Sequence, residues 1–294
     1  MRVQIGDICY AITCSDAKVC DSLRVLLNNF LSDQPPDIFI ELNVAEQISP
    51  NELEAALSET RYIHKENRFR TTSGIIAGAY DLTSRTIRIS GERSLVDPNL
   101  KFNLLNRLLC LCYYSACKVK YNGNPQAFLV HACGILRYGQ ALVFAGPSGA
   151  GKTTIASLCG ERDGEVLNDE VLLISRPKPN DGVLKVQSTP IIGQYPHRLK
   201  AMAPLRCILL LKQSSQTMIR PIDRSEAYLR FMRQIITPAY IGQRDRRSIY
   251  TLMADFSDEV TRTTPIFELE FTLDRKSLWQ AVEQLEQSLG ERRE

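Results

Sequence analysis

Apolar and polar residues alternate from Val3 to Thr13 and again from Asp37 to Leu42, and the alternation predicts two strands. Between them the spacing is helical. Over Ala17 to Leu31, the residues Val19, Leu23, Leu26, Leu27, Phe30 and Leu31 share one broad face, and Pro35-Pro36 ends the run. Two further strands are expected over Gly74 to Leu82 and Thr86 to Ser90, joined near Thr83-Ser84-Arg85. From Pro98 to Lys118 the leucines leave little polar face, which predicts a buried helix bridging into the second half; Tyr121 to Pro125 reads as a loop. Strands then follow over Phe128 to Val130, Ala141 to Ala145, Val166-Leu167, Val171 to Ile174, Val183 to Val186, Cys207 to Leu211 and Phe267 to Phe271, with a turn at Leu136 to Gln140. Helices are expected from Thr154, over Ser225 to Ile236 with Ser225 as cap, and over Ser277 to Leu289. This order predicts an α/β chain in two parts: a smaller α+β domain over residues 1–95 and a larger α/β domain over residues 96–294.

Composition narrows the class. At 44% hydrophobic and 23% charged, the 294 residues suit a soluble globular protein with room for two domains. A net charge of +3 is too small to argue for nucleic acid. No apolar stretch approaches a membrane span, and the N-terminus lacks the apolar core of a signal peptide, so a cytoplasmic protein away from membranes is expected. The nine cysteines are scattered and include no C-x-x-C pair, which argues against a disulfide framework or a zinc site.

The chemistry begins at Gly146-Pro-Ser-Gly-Ala-Gly-Lys-Thr153, a full match to the phosphate-binding pattern G-x-x-x-x-G-K-[ST]. Its glycines let backbone N–H groups turn toward a polyphosphate. Lys152 adds a positive charge near the β- and γ-phosphates, and the Thr153 hydroxyl can join a magnesium shell. The apolar run before the loop and the helix after it complete the order strand, loop, helix. Gly146, Ser148, Gly149, Ala150, Gly151, Lys152, Thr153 and Thr154 are therefore the candidate nucleotide-binding residues.

Such a loop binds a nucleotide but does not define a reaction. The strand Val171 to Ile174 ends in Ser175-Arg176, so no acid follows it; Asp169 and Glu170 precede it instead. Two adjacent carboxylates allow a division of labour, one on Mg²⁺ and one accepting a proton, although an acidic turn between strands fits equally well. His131, after the run Phe128 to Val130, could bond to a phosphate or carboxylate, or serve structure alone. His64 and His197 read as surface residues, and Arg230, Arg233, Arg244, Arg246 and Arg247 as a solvated basic face. Trp279 is expected to pack the last helix.

The stretch from His131 through Lys152-Thr153-Thr154, followed by Asp169-Glu170, resembles the central part of HPr kinase/phosphorylase and its smaller relatives. Ser188 to Gly193 and Ala203 to Gln213 extend the likeness. The resemblance implies a phosphoenolpyruvate-carboxykinase-like P-loop kinase core with a mixed sheet, using ATP and Mg²⁺ to phosphorylate a hydroxyl of a protein, a peptide or a small molecule. It implies Asp169 as general base, Glu170 and Thr153 with Asp169 at the metal, His131 supporting the reacting phosphate beside Lys152, and assembly as a homo-oligomer. Two departures stand out. Glu170 occupies a place where that family usually has Asp, and no Arg-Gly-x-Gly-Ile segment follows Ile174, which argues against HPr as acceptor and against the reverse phosphorolysis. The competing expectation is a catalytically inactive nucleotide-binding module that regulates a partner.

Overall fold

The computed structural model of the chain describes residues 1–45, 62–65, 68–71, 76–81, 83–92, 102–121, 124–177, 182–191, 193–236 and 243–291. These form a mixed α/β structure with two mixed sheets and six α-helices among the described residues. The chain divides into two compact units. One comprises Met1–Gln126, Pro190–Ile192 and Thr237–Tyr250; the other comprises Ala127–Thr189, Gly193–Ile236 and Thr251–Glu294.

The first unit is built on a seven-stranded sheet. Its strands are β1 (Arg2–Ile5), β2 (Ile8–Cys14), β3 (Ile38–Ala45), β4 (Tyr62–Lys65), β5 (Arg68–Thr71), β6 (Ile76–Asp81) and β7 (Thr86–Glu92), in the order β1-β2-β3-β7-β6-β5-β4. The alternation from Val3 to Thr13 is thus two strands, paired antiparallel with Ile5 opposite Ile8, because Gly6-Asp7 turns the chain. Helix α1 (Ala17–Leu26) is shorter than its apolar face suggested. It is capped by Asp16, whose side chain accepts from Val19 N at 3.0 Å, and a 3₁₀ turn over Asn28–Phe30 follows. Helix α2 (Phe102–Tyr121) buries Leu109 and Cys112 through Cys117. Of the expected loop Tyr121 to Pro125, Asn122 and Gly123 lie outside the described residues, as does the side chain of His64 on β4.

The second unit carries an eight-stranded sheet: β8 (Ala127–Arg137), β9 (Gln140–Ala145), β10 (Glu165–Asn168), β11 (Val171–Ser175), β12 (Lys185–Ser188), β13 (Met202–Gln213), β14 (Met218–Pro221) and β15 (Ile266–Phe271). Strand β8 is long. Its first half pairs with β11 and its second with β9 and β10, all antiparallel. Strands β9, β13 and β15 run parallel side by side, so the carboxyl ends of β9 and β13 meet where Leu210 faces Ala145. Helices α3 (Lys152–Leu158), α4 (Arg224–Met232) and α6 (Arg275–Glu291) lie wholly in this unit, and α5 (Gln243–Thr263) enters it at Thr251. One apolar cluster joins Phe144, Ile155, Leu209, Leu211, Phe271, Leu278, Trp279 and Val282. Trp279 holds the cluster to α3, donating from Nε1 to Leu158 O at 2.9 Å.

Three local expectations change. His131 sits inside β8 and not at a strand end. The small residues after it continue the strand, and Gly134 leaves room for Leu172, whose Cδ2 would lie 2.8 Å from a β-carbon there. The predicted cap of α4 moves to Asp223, which accepts from Ser225 N at 2.8 Å and Glu226 N at 3.3 Å. Helix α5 is not among the expected elements: most of its residues are polar, although Ile249, Met253, Phe256 and Val260 are buried at helical spacing. None of the nine cysteines is joined to another in a disulfide. None of the described helices is long and apolar enough to cross a membrane.

Candidate functional site

The loop Gly146–Gly151 leaves the buried end of β9 and enters α3 at Gly151, the N-cap, with φ +105°. Two features of the sheet seat it. Phe271, the last residue of β15, lies beneath Gly151, where a β-carbon would fall 2.5 Å from its Cζ. Gln213, the last residue of β13, donates from Nε2 to Gly149 O at 2.8 Å. Within the loop Ala150 N donates to Pro147 O at 3.0 Å. The short spacing between Gly146 and Ala150, whose Cβ would lie 2.8 Å from a β-carbon on Gly146, keeps this turn tight.

Lys152 is only 5% exposed, and its Nζ donates to Gly146 O at 2.9 Å and Pro147 O at 3.1 Å. Burial lowers the pKa of this ammonium below the usual lysine value. The opposing attraction comes first from Glu170, then from Cys133 and Asp169. Thr153 donates from Oγ1 to Asp169 Oδ2 at 2.9 Å, which ties the start of α3 to the turn between β10 and β11. Ser148 and Gly149 are exposed, and Thr154 is partly buried.

The acids owe their positions to Asn168, which sequence reasoning passed over. Its Oδ1 accepts from Glu170 N at 2.7 Å and Val171 N at 3.1 Å, while Nδ2 donates to Thr189 O at 3.0 Å. This side-chain turn folds the backbone so that the two neighbours diverge. Asp169 is fully buried. Its Oδ2 accepts from Gln194 N at 3.1 Å and Tyr195 N at 3.0 Å as well as from Thr153, and its Oδ1 has no hydrogen-bond partner among the described residues. Glu170 faces outward with its side chain 36% exposed, and its Oε1 lies 3.7 Å from His131 Nε2. The register explains that pairing, since Val171 sits opposite His131 on β8. Partial burial also lowers the Arg198 pKa, against the attraction of Asp169.

The structure therefore brings Lys152, Thr153, Asp169, Glu170 and His131 into one neighbourhood. It leaves His197 exposed, and it engages Arg230 with Glu268 at 2.6 Å and Glu226 at 3.2 Å. Arg233 is exposed; Arg244, Arg246 and Arg247 lie on α5 with side chains outside the described residues. Gln213, Phe271, Asn168 and the Gly193–Tyr195 backbone carry no role in the motif reading, because their contributions depend on strand pairing and main-chain contacts.

A family model, described as SynChlorMet cassette protein ScmC, matches residues 104–287. The chain belongs to this ScmC family. That match overturns the resemblance to HPr kinase/phosphorylase: the glycine loop and the acid pair are local features that two families can hold in common, whereas the ScmC match runs from within α2 through the second unit as far as residue 287. No curated protein matches the chain significantly.

Proposed function

We propose that this ScmC-family protein is an ATP-dependent phosphotransferase that moves the γ-phosphate of a magnesium–nucleotide complex to a hydroxyl acceptor. The observation that carries the reading is the 2.9 Å contact from Thr153 Oγ1 to Asp169 Oδ2. It joins the end of the glycine loop to a carboxylate that the sequence separates from it, as a nucleotide-dependent site requires. The parallel ends of β9 and β13 supply a P-loop-type platform for the phosphates.

The residues present fit a magnesium ion. Thr153 and Asp169 would offer a pair of hard oxygen ligands, and one buried oxygen of Asp169 has no hydrogen-bond partner among the described residues. No cluster of three or more potential ligand side chains occurs among the described residues, so the remaining positions would fall to phosphate oxygens and water, as Mg²⁺ prefers. When bound, the ion supplies charge neutralisation at the β- and γ-phosphates. Lys152 adds to it by turning its ammonium from the carbonyls of Gly146 and Pro147 to the phosphate oxygens.

Burial divides the acids in the opposite sense to the sequence expectation. We assign Asp169 to the metal side, because it is sealed from solvent and held by three donors. Glu170 is accessible, electrostatically linked to Lys152 and adjacent to His131, and we assign it as general base. In the transfer, Glu170 takes the acceptor hydroxyl proton, the oxygen forms a bond to the γ-phosphorus, and the bond to the bridging oxygen breaks, leaving that electron pair on the nucleoside diphosphate. His131 orients the Glu170 carboxylate. Membership in a family of cassette proteins directs the search for the acceptor to the other products of the cassette.

The test is incubation with γ-labelled ATP, Mg²⁺ and those products. Label on an acceptor that disappears with Lys152→Ala supports the reading. Nucleotide binding with no labelled product under any of these conditions replaces it with a nucleotide-binding partner module.

A further inference from the structure

Asp169 is held from a direction that the loop does not control. Two consecutive backbone N–H groups, those of Gln194 and Tyr195, converge on Oδ2 at 3.1 and 3.0 Å. The residue before them is Gly193, itself buried. The three atoms nearest to a β-carbon there would all belong to one group, the Asp169 carboxylate, with Oδ1 well inside van der Waals contact. The segment is anchored at and beyond its last residue: Tyr195 packs against the apolar cluster, and Leu199 N donates to Val166 O of β10 at 3.0 Å.

We propose that Gly193-Gln194-Tyr195 is a main-chain cradle that positions the Asp169 carboxylate against Thr153, and that Gly193 is a positioning residue because its bare α-carbon provides the space Oδ1 occupies. The proposal rests on the reading of Asp169 as the metal-side acid. Consecutive N–H groups aimed at one oxygen make a small anion-binding concavity, here occupied by a side chain of the same chain. They fix the rotation of the carboxylate, so Oδ2 stays on Thr153. A side chain at 193 would force the carboxylate to turn or withdraw, and both movements break the Thr153 contact. Outer partners of a metal ligand typically change metal affinity by about 10- to 100-fold when altered.

The test compares Gly193→Ala, Asp169→Ala and the double variant. Without nucleotide, Gly193→Ala is expected to lower the thermal midpoint by about 5 °C or more, and to do so by about 1 °C or less when Asp169 is already Ala, since the three clashing atoms are then gone. If Gly193→Ala does not fold but the double variant does, the coupling is shown in its strongest form. Equal losses in both backgrounds, or a double variant that also fails to fold, overturn the cradle. The second readout is binding of a fluorescent ATP analogue titrated with Mg²⁺. The half-saturating Mg²⁺ concentration is expected to rise about 10-fold in Gly193→Ala, with metal-free affinity within about 2-fold of the parent. An unchanged Mg²⁺ requirement overturns the positioning role. A parent chain that binds no nucleotide overturns the functional reading and the metal role with it, whereas missing coupling in the midpoints removes the cradle alone.

Discussion

Gly151→Ala tests how the glycine loop is seated, and its cost has two separable parts. The first is backbone strain. Gly151 holds φ +105°, where an L side chain costs about 1–2 kcal/mol. The second is a collision. The new methyl would lie 2.5 Å from Phe271 Cζ, with Cε1 and Cε2 at 3.4 Å, and Phe271 is 3% exposed in the apolar cluster with little room to retreat. Overpacking of this kind costs about 1–3 kcal/mol. The sum is about 2–5 kcal/mol against a total stability on the order of 5–15 kcal/mol, and corresponds to a midpoint lowered by about 10 °C.

Phe271→Leu separates the parts, because it removes all three ring atoms the methyl would meet. In that background only the strain remains, so the cost of Gly151→Ala should fall to about 1–2 kcal/mol, a coupling of about 1–3 kcal/mol. Urea denaturation of the four proteins gives the cycle, and calorimetric titration with ATP and Mg²⁺ reports the loop. Nucleotide affinity should be lost in both alanine variants, since the strain disturbs the N–H groups on either side of Gly151. A cost equal within about 0.5 kcal/mol in the two backgrounds would refute the argument that Phe271 is the floor of the loop.

Glu170→Gln should cut phosphoryl transfer by about 100-fold or more while barely moving the thermal midpoint, because the carboxylate is a third exposed and its contact with His131 spans 3.7 Å; activity assays beside calorimetry check both. Lys152→Met should abolish nucleotide binding yet leave the nucleotide-free protein as stable or more so at neutral pH, since a buried ammonium is removed. The sign of its pH dependence follows from the lowered native pKa. Between that value and the unfolded one, about 10.4, the unfolded chain binds more protons, so parent stability rises with pH across this window while Lys152→Met lacks that rise. Burial pushes the Cys112, Cys117 and Cys207 thiols up to about 12, leaving about one thiolate in ten thousand at pH 8; native alkylation followed by peptide mass spectrometry should find these three unmodified, and full modification would contradict their burial.

Much of the second unit was legible because its strands are uninterrupted apolar runs. Ala141 to Ala145, Val171 to Ile174 and Cys207 to Leu211 are each buried on both faces, so their hydrophobicity alone gave them away. Where a strand carries small or polar residues the pattern misled: β8 continues through His131-Ala-Cys-Gly134 because neighbours on both sides pair with it. The hairpin at Gly6-Asp7 hid inside a continuous alternation, since Ile5 and Ile8 both point to the core and the turn between them is only two residues long. Helix α5 escaped because its polar majority masks the apolar positions Met253, Phe256 and Val260, all buried. The site divided in the same way. The glycine loop announced itself by residue type, but Phe271 and Gln213 act through where β15 and β13 end, and the Gly193 turn acts through its main chain.

Adjacent acids in a sequence suggest equivalent surroundings, yet the turn stabilised by the residue before them gives the two side chains different exposure within one neighbourhood. Asn168 spends its carboxamide oxygen on the N–H groups of Glu170 and Val171, and the backbone that results aims Asp169 inward and Glu170 outward. From that point the environments diverge without further instruction. Asp169 meets three donors and no solvent, which suits an oxygen ligand that must not move; Glu170 meets a histidine and water, which suits a group that must exchange a proton. Replacing Asn168 with Ala removes three hydrogen bonds at a fully buried position and should therefore damage metal binding and proton transfer together, whereas each acid changed singly should damage one of them. Separate kcat and Mg²⁺ half-saturation measurements on the three variants distinguish the cases. A site in which Asn168→Ala perturbs only one of the two quantities would mean that the acids are placed independently of the turn.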